Sequence, residues 1–154
     1  PCLEGFFDQH IARWADSASP SLFLNERNRA FYQELALALA DKKWLLLSVV
    51  ELDDRPLTMH YGFDFNERLL WYKPSFDRVH SKHSPGLVLL RHLIGYALDR
   101  KRVEFDFTIG DEPFKSRFSN CTRKTVSIQI YQDPVRYYLA LSKQKLSAAK
   151  RSLV

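Results

Sequence analysis

From Arg78 to Gly86 the chain reads Arg-Val-His-Ser-Lys-His-Ser-Pro-Gly, a basic stretch that runs straight into an apolar helical repeat. A helix N-terminus presents unpaired backbone N–H groups and a partial positive charge, so this junction has the chemistry to hold an anion such as a phosphate. Arg78, Lys82 and His83 add cationic or donor groups, Ser81 and Ser84 add hydroxyls, and Gly86 would let a ligand approach the backbone. A capped helix under a basic surface loop would use the same residues, and both readings stand at this point. Further along, Asp106 lies in an apolar-flanked strand. Burial would raise its carboxyl toward the range of a useful base, whereas a nearby cation would keep it ionised. Lys115 is the cation expected beside it, after the turn at Gly110 and on the short helix that follows. Asp111 and Glu112 would attract an amine or form a solvated loop.

Other chemistries lack their residues. His80 and His83 stand three apart with no Asp, Glu or Cys near enough to complete a metal set, so no metal site is expected. Neither a phosphate-binding P-loop nor a Gly-x-Ser-x-Gly elbow is present. Cys121 has no activating neighbour in the sequence and is expected to be a buried or inert thiol.

The elements that must position these groups follow from periodicity. Phe6, Phe7, His10, Ile11 and Trp14 recur at helical spacing over residues 4–17. Asn25 is a good N-cap for a second helix to about residue 42, with Phe31, Leu35, Ala38 and Leu39 on its apolar face. Trp44 to Leu52, Pro56 to Phe65 and Leu69 to Phe76 read as three strands, joined at the turn signals Asp53-Asp54 and Asn66-Glu67 into an antiparallel meander. Ser84 is expected to cap, and Pro85 to open, a helix running to about Arg100, with Leu87, Leu90, Leu93, Ile94 and Ala97 inward. A strand over Val103–Ile109, a short helix over Pro113–Phe118, a strand over Lys124–Tyr131 and a basic helix from Pro134 to the end complete the order ααβββαβαβα. The class is α+β with a parallel pair in a mixed sheet.

Length and composition agree with one domain: 154 residues, 45% apolar and 27% charged. It is expected to comprise a helical lead-in (1–43), a sheet and binding core (44–131) and a basic C-terminal helix (132–154). No apolar run approaches the roughly 18 residues that cross a bilayer. Cys2 and Cys121 lack metal-like spacing, which favours a reduced, cytoplasmic setting. The net charge of +5 favours anionic partners. The last helix, with Arg136, Lys143, Lys145, Lys150 and Arg151, would contact such a partner or present a solvated face. The chain begins at Pro1 and its sole methionine is Met59, so it is expected to be a piece of a longer protein.

The series Ser84-Pro85-Gly86-Leu87-Val88-Leu89-Leu90, Ala97 to Lys101, Phe105-Asp106-Phe107, Gly110 and Phe114-Lys115 resembles the signature of the GNAT-like acyltransferase domain in the CelD/FemAB (BioF2-like) group. Phe6 to Trp14 and Phe31 to Leu39 are similar to that group's two leading helices, so the resemblance covers about residues 4–130. It implies a GNAT-like mixed sheet with a central splayed parallel strand pair. An acyl thioester would enter the V, with its pyrophosphate on the strand-to-helix loop at Arg78, Ser81, Lys82, His83, Ser84 and Gly86. It implies acyl transfer from acyl-CoA or acyl carrier protein to an amine or hydroxyl of a small-molecule acceptor, in cell-envelope or exopolysaccharide biosynthesis. Asp106 and Lys115 would be the catalytic or orienting pair. A second GNAT-like half in the full-length chain is implied, and no metal. The sequence departs from the wider phosphate motif Q/R-x-x-G-x-G/A, keeping only its last glycine at Gly86. Phe114 stands where many such enzymes carry a tyrosine. Two further readings stay open: an aminoacyl transferase drawing on aminoacyl-tRNA, and a non-catalytic assembly module that keeps the fold.

Overall fold

The computed structural model describes residues 2–151, and their side chains as far as residue 143. The chain divides into two compact units, Pro1–Lys115 and Ser116–Val154. In the first unit, α1 (Cys2–Trp14) leads through a 3-10 turn at Leu22–Leu24 into α2 (Glu26–Ala40). Three antiparallel strands follow, β1 (Leu45–Leu52), β2 (Arg55–Phe65) and β3 (Arg68–Phe76). Both hairpin turns are two residues long with positive φ throughout: 50° and 60° at Asp53 and Asp54, 51° and 59° at Asn66 and Glu67. That conformation matches the twist of the strands it joins; the short side chains of Asp53, Asp54 and Asn66 tolerate it, and Glu67 adopts it as well. A 3-10 segment (Arg78–His83) leads to α3 (Pro85–Asp99) and then to β4 (Glu104–Asp106), parallel to β3. The sheet order among the described residues is β1-β2-β3-β4. The fold is α+β with a mixed four-stranded sheet and flanking helices, as the sequence implies.

Strand alternation sends side chains to two separate cores. Leu45, Leu47, Val49, Met59, Tyr61 and Phe63 meet α1 and α2 around Phe6, Phe7 and Phe23. Leu46, Val50, Trp71 and Phe105 face α3, against Leu89, Leu90 and Leu93. Asn25 caps α2, its Oδ1 accepting from Arg27 N–H at 2.9 Å.

Several expectations need correction. Helix α2 buries Tyr32 and Ala36, with Leu35 and Leu39 half-buried, while Phe31 and Ala38 are exposed. The stripe 32, 35, 36 and 39 is itself a helical face, and the apolar Phe31 lies one residue outside it. Ser84 makes no side-chain cap bond, because its backbone is left-handed at φ 52°. Cys121 is exposed rather than buried. β4 is three residues rather than seven; Val103 is outside it and exposed.

The second unit contains the end of the short helix α4 (Lys115–Phe118) and α5 (Pro134–Arg151). The strand expected over Lys124–Tyr131 does not form: residues 121–131 have no regular structure, and Val126, Ile128 and Ile130 are 81%, 78% and 91% exposed. Alternation is necessary for a half-buried strand, yet a ladder neighbour is also required, and the alternation alone supplies none. The side chains of Lys145, Lys150 and Arg151 lie outside the described residues. No helix among the described residues is long and apolar enough to cross a membrane.

Candidate active site

The parallel seam is where the sheet opens. β3 and β4 pair only at Arg68↔Glu104, Leu69↔Phe105 and Leu70↔Asp106. Just past the last pair, Asp106 Oδ1 accepts from Thr108 N–H at 2.7 Å, and Thr108 Oγ1 donates to Trp71 O at 3.2 Å. Thr108 does this at φ 58°, a conformation that a β-branched residue adopts at a cost. Beyond this apex β3 runs on to Phe76 with no β4 beside it, while the other chain turns away through Gly110, whose φ of 132° favours glycine.

β3 carries a bulge against β2. The pairing shifts between Tyr61 and Phe63, where Gly62 alone faces Trp71 and Tyr72. The His60 ring fills the gap, stacked on Trp71 with centroids 4.8 Å apart, and its Nε2 accepts from Tyr72 N–H at 3.2 Å. After the bulge, Pro74 lies opposite His60 at a position whose carbonyl points away from β2. Arg13 Nη1, from the end of α1, donates to that carbonyl at 2.6 Å. The open edge thus lies between α1, the 3-10 segment and the 110–115 loop.

The expected site residues are brought only partly together. Arg78 pairs with Asp16 at 2.6 Å, and Arg78 and Ser81 line a cavity of about 310 Å³ with Arg13, Trp14, Ser17 and Phe76. Lys82, His83 and Ser84 are exposed. At the start of α3, Leu87 and Val88 N–H return to Ser84 O, and Pro85 has no N–H. Gly86 N–H is left with no partner among the described residues. Asp106 and Lys115 do not form the expected pair: Lys115 Nζ bonds Glu112 Oε2 at 2.7 Å and Ile109 O at 3.1 Å. Glu112, three residues before Lys115, is within closer reach than the strand carboxylate. Phe114 packs in the α3-side core, 6.1 Å from Phe107. No cluster of three or more His, Cys, Asp or Glu suited to a metal occurs among the described residues.

Sequence reasoning missed the polar groups on the α1 side of β3. Tyr72 and Tyr32 hydroxyls are 2.8 Å apart, and Lys73 Nζ lies 4.7 Å from the Tyr72 ring centre. Burial raises the Tyr32 hydroxyl far above its ordinary pKa, helped by the bond to Tyr72, so Tyr32 stays protonated. Burial also lowers the Lys73 ammonium. Period-two reading places Tyr72 on the face of Leu70, where it lies, but Lys73 on the face of Trp71; the bulge opposite Gly62 brings Lys73 to the Tyr61 face instead. His10 stays neutral, lowered to about 4 by burial and then by Lys73 and Arg13.

A mixed sheet that parts along one parallel seam, followed on one side by a strand-to-helix junction, is the architecture of a GNAT-type transferase. The chain belongs to the acetyltransferase (GNAT) domain family, whose model matches residues 3–116. Among solved structures it is similar to the aminoglycoside antibiotic 6'-N-acetyltransferase AAC(6')-IG of Acinetobacter haemolyticus in its apo form. The two share 15% identity at a TM-score of 0.55, over 85% of this chain and 93% of that one. At that identity the likeness is one of fold. No curated protein matches.

Proposed function

We propose that this chain transfers an acyl group from a coenzyme A thioester to an amine or hydroxyl of a small acceptor. The observation that carries the reading is the seam that opens past Leu70 and leaves the β3 edge unpaired toward Phe76. That edge leads through Arg78–His83 to Gly86 N–H, so an extended thioester arm on the edge would bring its pyrophosphate to Lys82, His83 and Gly86. A carrier-protein donor would use the same edge without a nucleotide. The thiolate leaves with a pKa of about 8.5 and needs little acid assistance. Tyr72, held by Tyr32, is the proton donor we assign to it. Asp106 is committed to Thr108 N–H and orients the apex, with Lys115 anchoring the loop after it. Within the family we place the chain in the CelD/FemAB branch, beside a second GNAT-like half and in the cytoplasm, on the residues quoted for that resemblance. The aminoglycoside named for the structural neighbour is not carried over.

Calorimetry with acetyl-CoA tests this. Lys82→Glu and Gly86→Val should each weaken binding by about tenfold, the scale of one lost charge-assisted contact. Gly86→Ala should leave the unfolding midpoint unchanged, since its Cβ would meet only Phe76 Cδ1 at 3.8 Å. Affinity indifferent to Lys82→Glu and Gly86→Val would refute the assignment of the loop.

A further inference from the structure

Arg13 forms no ion pair among the described residues, although the Glu112 carboxylate lies near enough to act on it. Its guanidinium is half-buried, 4.3 Å from the Phe76 ring centre and 5.3 Å from that of Trp14. Of its five N–H donors, one is used, on Pro74 O. The carboxylates around it are committed elsewhere: Asp16 to Arg78 at 2.6 Å, and Glu112 to Lys115 at 2.7 Å. Lys73, on the same seam between α1 and β3, has no carboxylate partner among the described residues. Both cations act on His10, which lies between α1 and the core. Trp14, in the wall of the same cavity, has a buried Nε1–H with no acceptor. A half-buried cation without a paired counter-charge carries a desolvation cost, which a ligand's anion would help to recover. Arg is suited to that task because its planar fork binds two oxygens of a carboxylate or phosphate at once.

We infer that the cavity formed by Arg13, Trp14, Ser17, Phe76, Arg78 and Ser81 is an oxyanion site for a carboxylate or phosphate carried by one of the two reactants. Arg13 is its anchor, Arg78 and the Ser81 hydroxyl complete it, and the Phe76 ring packs against the guanidinium. The assignment to a reactant rests on the acyl-transfer reading; the site itself does not. A volume of about 310 Å³ has room for such a group with the carbons attached to it. The acceptor would then be an acidic molecule, such as a phosphorylated or carboxylated amine, unless the group belongs to the donor.

The test uses inorganic phosphate as the probe. In the unaltered chain the indole N–H resonance of Trp14, assigned by its loss in Trp14→Phe, should shift on titration with phosphate and not with chloride at equal ionic strength. Arg13→Gln should weaken that response by about tenfold or more, and Arg13→Lys by less, because the point charge remains without the fork. An unshifted Trp14 resonance in the unaltered chain overturns the site, whatever the variants do. Acetyl-CoA affinity distinguishes the two sources. If it is unchanged in Arg13→Gln, the anion is the acceptor's; if it falls with the phosphate response, the anion is the donor's. A phosphate response in a chain that does not bind acetyl-CoA would sink the acyl-transfer reading and leave the site. Acetyl-CoA binding without a phosphate response would do the reverse.

Discussion

His60 fills a place in the β2–β3 ladder where a backbone carbonyl would otherwise serve. Its Nε2 accepts from Tyr72 N–H, so its proton sits on Nδ1, which is buried with no acceptor. A protonated imidazole could not accept that bond, and burial lowers the group to about 3. Gly62 is the complement of this arrangement: an added Cβ would overlap the His60 ring and come within 2.6 Å of the Leu70 carbonyl oxygen. A flexible side chain could yield, but a ladder carbonyl cannot. Gly62→Ala should therefore cost about 3 kcal/mol or more in a denaturant titration. Stability within a few tenths of a kcal/mol of the parent would show that the bulge is not set there. The two neutral histidines also give the fold a pH dependence. The folded values for His10 and His60, about 4 and about 3, lie below the ordinary 6.5. Unfolding therefore takes up protons below pH 6.5. Stability is at its plateau above that pH and falls as pH drops toward each folded value. By pH 5 the loss is about 2 kcal/mol for each histidine. Urea midpoints at pH 7 and pH 5 measure it, and His10→Asn should remove about half of the difference. Equal midpoints in the parent at both pH values would contradict the buried neutral forms.

Among the elements, those built by local rules were legible and those built by encounters were not. The three strands of the meander fall within a residue of their expected limits, because alternation and the turn pairs at 53–54 and 66–67 act within a few residues of each other. Asn25 and Ser84 look alike as caps, yet only Asn25 bonds its helix. Ser84 arrives from a 3-10 turn that closes with Ser84 N–H on Ser81 O, which forces it left-handed and turns its hydroxyl away from the first helical turn. Asn25→Ala should thus cost about 1 kcal/mol in thermal unfolding, whereas Ser84→Ala should cost a few tenths. Equal costs would mean that Ser84 caps after all. The basic junction into α3 and the parallel strand pair were legible as elements. The partners of Asp106 and Lys115 were not, because a three-residue reach to Glu112 and an Asx turn to Thr108 compete locally with the longer pairing. Nor were the bond from Arg13 to Pro74 O and the Tyr32–Tyr72 pair, which depend on where α1 and α2 dock.

At the scale of the whole molecule, the segment 121–131 has a consequence beyond its failure to join a sheet. Val126, Ile128 and Ile130 alternate with polar residues, carry no proline between them, and present their side chains to water. Such a stretch has every local qualification for cross-β stacking and joins no strand ladder among the described residues. Flanking charge at Arg123 and Lys124 works against stacking by repulsion, and salt weakens that protection. Concentrated solutions of this chain should scatter light increasingly as ionic strength rises. Ile128→Lys should suppress the scattering without moving the unfolding midpoint, since the side chain it replaces is already in solvent. The chain's shelf life in a test tube would then be governed by a handful of residues to which no part of its chemistry is assigned.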